Sequence, residues 1–245
     1  MSATTATGEF RLLIDGDLVE AAEGGAFDNV NPATEEVLGQ TADATSADMD
    51  RAIDGARRAF DGTAWATDRA LRQRCLRQLH EAIVGEQEQL RAELVAEVGC
   101  PVMTTYLAQL DAPLAEGLLW PAGYIDSFEW ERELPDNENF GVPSSQRVVK
   151  EPVGVVGAII PWNYPFEITV GKLGQALATG NTIVVKPAPD TPWNATRIGR
   201  LVAEQTDIPP GVVNVVASSD HLVGEQLVTD PRVDLISFTG STASS

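Results

Sequence analysis

The spacing of apolar residues changes along the chain, and each period predicts a different element. Leu12, Leu13 and Ile14 on one side and Leu18 and Val19 on the other flank Asp15-Gly16. That dipeptide suits a two-residue hairpin turn, so a small edge hairpin is predicted there. After Ser46, read as an N-cap, Met49, Ala52, Ile53, Ala56 and Phe60 recur at helical spacing with Asp and Arg on the opposite face. Leu71, Cys75, Leu76, Leu79, Ile83, Leu90, Leu94 and Val98 continue that period until Pro101 stops it. A long helix is expected over them, bent at Gly85.

Near residue 129 the pattern changes. Residues 129–142 are polar, acidic and broken by Pro135 and Gly141, and residues 145–151 alternate like an exposed strand. They read as an arm or linker. Beyond it, apolar runs at 153–160, 182–185, 212–216 and 233–238 alternate with helix-like stretches at 166–179, 191–206 and 224–229. Continuous apolar strands separated by helices imply a parallel sheet covered on both faces. The fold class is therefore α/β: an N-terminal helical segment plus a doubly wound, Rossmann-like parallel sheet. The organisation expected is 1–128 for the hairpin and helical part, 129–150 for the arm and 151–245 for the nucleotide-binding unit.

Composition narrows the function. The 245 residues are 43% hydrophobic and 22% charged, an ordinary globular balance. With 17 basic and 36 acidic residues, a net charge of -19 repels polyanions, which argues against nucleic acid and anionic membranes as partners. No apolar run is long enough to span a bilayer, and residues 1–10 lack the features of a signal peptide, so a soluble, cytoplasmic protein is expected. Two cysteines make no disulfide framework. Cys75 lies on the apolar stripe and reads as core, whereas Gly99-Cys100-Pro101 is a helix-ending turn where the thiol is expected to be partly exposed. His80 and His221 are isolated among charged or loop residues, which suits surface or capping roles.

Sheets of this kind bind ligands beyond the carboxyl ends of their strands. The loops that qualify are Pro161-Trp162-Asn163-Tyr164-Pro165-Phe166, Lys186-Pro187-Ala188-Pro189-Asp190-Thr191-Pro192, Pro209-Pro210-Gly211 and Phe238-Thr239-Gly240-Ser241-Thr242. Gly154 and Gly157 are expected inside the first strand, so the ordinary Gly-x-Gly-x-x-Gly fingerprint is absent. Gly240-Ser241-Thr242 follows a strand and opens a helix, where free N–H groups can meet a phosphate; the same tripeptide can equally be a plain helix cap.

Taken together these loops, with Asn31-Pro32-Ala33-Thr34 and Glu151-Pro152-Val153-Gly154-Val155, resemble the aldehyde dehydrogenase superfamily from Ile14 to Thr242. The resemblance implies that Ile160, Pro161 and Trp162 lie along the cofactor and that Asn163 donates its side-chain amide to the substrate's oxyanion. It implies that Lys186 binds the adenosine ribose hydroxyls, that Gly211 stands beside the adenine, and that Gly240 and Ser241 meet the pyrophosphate. Residues 140–150 resemble an oligomerisation hairpin, so a homo-oligomer is expected of the complete protein. In such enzymes the general-base glutamate and the nucleophilic cysteine lie further along, so the sheet is expected to be incomplete at its C-terminus and this chain inactive alone. Ser244 and Ser245 depart from the family pattern of an apolar residue followed by glycine.

The chemistry accounts for the residue types. Oxidising an aldehyde to an acid needs a thiolate, donors for the oxyanion, a nicotinamide to take hydride and a base to activate water against a thioester. A neutral amide stabilises developing charge without losing a proton. Outside the family context, Asn163 can also be read as a cap or as a tie for the Pro161 turn. In many NAD-preferring members a glutamate stands three residues past the lysine; here that place is Pro189, and Thr191 and Pro192 are read as the N-cap and first residue of the next helix. The chain's acidity disfavours the more highly charged NADP, so NAD is the expected cofactor with NADP tolerated. Two other classes fit parts of the pattern: a non-catalytic nucleotide-binding module, and a scaffold kept for association through the arm.

Overall fold

The computed structural model describes residues 7–240. β1 (Leu12–Ile14) and β2 (Asp17–Val19) form the predicted hairpin, with Asp15 and Gly16 at φ of 55° and 88°. Two successive positive φ values are what the tightest hairpin turn requires, and Asp-Gly adopts them readily. β3 (Ala26–Val30) and β4 (Val37–Ala42) make a second hairpin, unmarked by the apolar pattern because β3 is mostly exposed and β4 is buried only at Thr41 and Ala42. Asn31 Oδ1 accepts from Ala33 N–H at 2.8 Å and helps fasten its turn.

The N-cap of α1 (Ser46–Gly62) is Thr45, one residue before the expected Ser46, because Asp48 reaches back to accept from Thr45 N–H at 3.0 Å. The long helix expected next is broken instead of bent. α2 (Arg69–Gly85) ends at the weak helix former Gly85, α3 (Gln87–Glu93) restarts the chain, and a π turn, Leu94–Val98, leads to Gly99 at φ 69°. α4 (Val102–Thr104), a second π turn at Thr105–Gln109, α5 (Asp111–Gly117) and α6 (Leu119–Tyr124) complete the helical layer. Cys75 is fully buried as expected. Cys100 is buried too, against the expectation of partial exposure, with its Sγ donating to Leu94 O at 3.4 Å.

The arm is a ribbon of β5 (Glu131–Asn139) and β6 (Val142–Val149), paired only with each other among the described residues. Then come β7 (Val155–Ile159), α7 (Pro165–Ala178), β8 (Thr182–Lys186), α8 (Trp193–Gln205), β9 (Val213–Val215), α9 (His221–Thr229) and β10 (Leu235–Phe238). The sheet order is β10-β7-β8-β9-β1-β2, with the first four strands parallel and β1 antiparallel to β9. The amino-terminal hairpin thus extends the sheet and makes it mixed. α7 and α8 pack one face, with α2 packed against those helices, while α1 and α9 pack the other, so β8 is buried along its whole length.

Two helix starts differ from the pattern. α8 begins at Trp193 with Pro192 as its cap, because the Glu97 carboxylate accepts from Trp193 N–H at 3.1 Å and Asn194 N–H at 3.2 Å. Thr191 N–H turns back to Ala188 O at 3.2 Å instead of entering the helix. α9 starts at His221, three residues early, because Asp220 accepts from Leu222 N–H at 2.9 Å. Among the described residues no helix is long and apolar enough to cross a membrane.

Candidate cofactor and oxyanion site

From β7 the chain moves through β8 to β9 on one side, then returns to place β10 on the other side of β7. A doubly wound sheet opens its ligand crevice at such a reversal, beyond the carboxyl ends of the strands. Ile159 and Phe238 are paired there, and Thr239 N–H donates to Ile159 O at 3.3 Å. Gly240 follows at once and is exposed.

Ile160 is buried and prolongs β7, its N–H donating to Lys186 O at 3.0 Å. Pro161 is half-buried, and Trp162 and Asn163 are exposed beyond it. The Asn163 side-chain amide makes no hydrogen bond among the described residues, whereas its backbone oxygen accepts from Gln109 Nε2 at 2.9 Å. Tyr164 occupies the cap of α7, so capping does not account for this asparagine. The side chain stands free at the crevice while the main chain beneath it is held.

Lys186 ends β8 and is 7% exposed, with Nζ donating to Ser218 O at 3.2 Å. Burial lowers its pKa, opposed by the nearby carboxylates of Asp43 and Asp220. Gly224 of α9 leaves the space the lysine occupies: a β-carbon there would stand 3.2 Å from Cδ and 3.3 Å from Cε. Pro189 is exposed on the loop that follows, and Thr191 Oγ1 lies 3.5 Å from Trp162 O, linking the two loops at their base.

Gly211 is not brought to this edge. It precedes β9 and lies at the amino ends of the strands, at φ 80°, where a β-carbon would stand 2.5 Å from Gly55 O. Its work is to let α1 approach the sheet, and the adenine role implied by the resemblance does not fit that position. Gly154 stands just before β7 instead of inside it, at φ 131°. Ser241 and Thr242 lie outside the described residues.

One residue at the crevice was missed from the sequence. Lys172 reaches from α7 to the reversal, its Nζ donating to Ile159 O at 3.0 Å and Ser237 O at 2.6 Å, and so fastens the ends of β7 and β10 together. Burial pushes its pKa down to about 8. The available signal was a lysine between Gly171 and Leu173 in an otherwise mostly apolar helix.

These groups suit a dinucleotide. Lys186, seated by Gly224, offers a fixed ammonium, the turn at 160–162 offers a partly exposed surface, and Asn163 offers a neutral donor unclaimed among the described residues. They define the class as a doubly wound nucleotide-binding unit with an amide donor at its crevice. A sequence model of the aldehyde dehydrogenase family matches residues 18–245, and the chain belongs to that family. It is 38% identical to an aminoacetaldehyde dehydrogenase of Pseudomonas aeruginosa, covering 95% of this chain and 46% of that protein. It is 34% identical to the NADP/NAD-dependent aldehyde dehydrogenase PuuC of Escherichia coli, covering 96% and 46%. An aldehyde dehydrogenase from Bacillus cereus, solved as its NAD+ complex, superposes with a TM-score of 0.88 at 34% identity, covering 96% of this chain and 47% of that one. The chain spans about half the length of the relatives it matches.

Proposed function

We propose that this chain supplies the cofactor cleft and an oxyanion donor for NAD-preferring oxidation of an aldehyde to a carboxylic acid. The observation that carries the reading is the free Asn163 amide, exposed at the same strand ends as the 160–162 turn, Lys186 and Gly240. When bound, NAD accepts the hydride. Asn163 Nδ2 donates to the carbonyl oxygen as it becomes an oxyanion, and Gln109 holds the Asn163 peptide so that the donor is placed before the reaction begins. Lys186 holds the adenosine ribose, and Ile160, Pro161 and Trp162 flank the dinucleotide. Lys172 is a positioning residue that keeps the crevice closed at its base. A cavity of about 350 Å³ along α7, lined by Glu116, Gly117, Trp120, Glu167 and Gly171, offers a path for the aldehyde.

Neither thiol of this chain suits the nucleophile. Burial raises both, Cys75 up to about 11, and neither lies at the crevice. The thiolate, the thioester it forms and the base that clears it therefore fall to the part of the family fold that this chain does not span, and the chain alone forms no NADH from an aldehyde. With Pro189 at the place of the excluding carboxylate, NADP is tolerated beside NAD. The ribbon at 129–150 is its contribution to a homo-oligomer, and residues 1–128 and 151–245 together build the cofactor unit.

The test is Asn163→Ala in an enzyme carrying both halves of the fold. Turnover is expected to fall about a hundredfold to a thousandfold, or about 3–4 kcal/mol, with the NAD dissociation constant unchanged. A loss confined to NAD affinity would refute the oxyanion role.

A further inference from the structure

The loop that lacks a carboxylate at position 189 faces a turn that has two. Ser218 accepts from Lys186 Nζ through its backbone oxygen at 3.2 Å, while its hydroxyl donates to Asp43 Oδ1 at 3.2 Å and Ala44 O at 2.7 Å. Asp43 is also held by Ser219, whose N–H and hydroxyl donate to it at 2.8 and 2.6 Å. Its own N–H donates to Gly25 O at 2.9 Å. Asp43 is therefore pinned from both the β3–β4 hairpin and the β9–α9 turn, one serine away from the ammonium of Lys186. Asp220, two residues past Ser218, caps α9, and its charge acts on the same lysine. His221 Nδ1 lies 3.7 Å from Asp220 on the outer side and is almost wholly exposed.

Beside this turn lies a cavity of about 580 Å³ whose lining includes Glu23, Asp43 and Asp220 and no lysine or arginine. A 2′-phosphate brings about 1.5 to 2 negative charges. Lys186 brings one positive charge, already set against two carboxylates. A ribose 2′-hydroxyl, by contrast, needs an acceptor; Ser218 O is engaged by the lysine, and a carboxylate can accept. Asp220 is 52% exposed, so repulsion between like charges here acts at short range and is weakened by salt.

Resting on the reading of Lys186 as the adenosine-ribose ligand, we propose that Asp43 and Asp220 supply the exclusion of a 2′-phosphate that Pro189 cannot. Selectivity for NAD is thus set from the β4 end and the α9 cap, and not from the loop after Lys186.

Asparagine at either place keeps an acceptor for Ser219 or for the start of α9, so Asp43→Asn, Asp220→Asn and the double variant are suited to the test. Dissociation constants for NAD and NADP are measured on the chain by calorimetry, with thermal unfolding as the check on folding. The parent is expected to bind NAD at least tenfold more tightly than NADP. The double variant is expected to narrow that ratio about tenfold, chiefly by binding NADP better, and added salt should relieve the NADP penalty in the parent more than in the variant. An unchanged ratio in a folded double variant overturns the proposal while leaving the cofactor reading intact, as does tighter NADP binding in the parent. Binding of neither dinucleotide removes the cofactor reading and this proposal with it.

Discussion

The two ends of the parallel strands differ in how completely their polar groups are used. At the amino end, Asp234 accepts from Val155 N–H at 2.7 Å and from Arg57 Nη1 at 2.8 Å. Asn214 bridges Asp15 N–H and Gly211 O at 2.8 Å each, and Arg58 reaches Asp15 at 2.7 Å. Gly154 and Gly211 stand where a β-carbon would collide with its surroundings. At the carboxyl end, Trp162, Asn163, Pro189 and Gly240 are exposed, and the Asn163 amide has no partner among the described residues. Closed contacts at one end resist unfolding; open groups at the other are available to a ligand.

The largest effect expected from this contrast is at Gly211. A β-carbon at φ 80°, 2.5 Å from Gly55 O, combines backbone strain with overpacking, so Gly211→Ala should cost about 2–4 kcal/mol in denaturant unfolding. Nucleotide affinity, measured where the variant is still folded, should not change. Weaker NAD binding at full stability would return Gly211 to the cofactor and erase the contrast.

An intermediate effect concerns pH and the layer beneath the carboxyl-end loops. Burial pushes Glu93 up to about 7 despite its ion pair with Arg197, and the buried Glu97 beside it adds to the rise. A folded-state value above the ordinary one of 4.5 means that this contribution to stability is complete below about 4.5 and is lost as pH rises through about 7. Unfolding free energy should therefore fall between pH 5 and pH 8, and Glu93→Gln should flatten that slope. A parent profile that rises over this interval would show Glu93 ionised throughout.

The smallest effect is at Pro189. Being exposed, Pro189→Glu should change stability by no more than about 0.5 kcal/mol. It should weaken NADP relative to NAD, but only slightly if Asp43 and Asp220 already exclude the 2′-phosphate. A tenfold or larger change would place the selectivity on the loop after Lys186 instead.

The alternation of strands and helices was legible because each element is long enough to show its period and is buried in a way that demands it. β8 is apolar from Ile183 to Val185 since both faces are covered, and α1 shows a clean stripe because one face meets the sheet. The β3–β4 hairpin escaped because exposed strands carry no burial pattern. The start of α8 was misplaced for a different reason: its first N–H groups are met by Glu97, almost a hundred residues away in sequence, and no local pattern announces a partner of that kind. For the site, the loops after β7 and β8 and the described start of the one after β10 emerge at the carboxyl edge, as the alternation of strands and helices implied. The loop of Gly211 does not, and a motif fixes neighbours in sequence but does not say at which end of a strand a loop emerges. Lys172 and Asp43 escaped because their importance lies in what approaches them from other elements.

The hydrogen bond from Gln109 to the Asn163 carbonyl bears on transplantation. Grafting residues 160–165 onto another scaffold would carry the amide but leave behind the side chain that orients its peptide. The portable unit is a discontinuous pair, a six-residue loop and one glutamine at the end of a π turn more than fifty positions earlier. By the same token, a change in the 105–109 segment can reorient the Asn163 peptide while residues 160–165 stay the same.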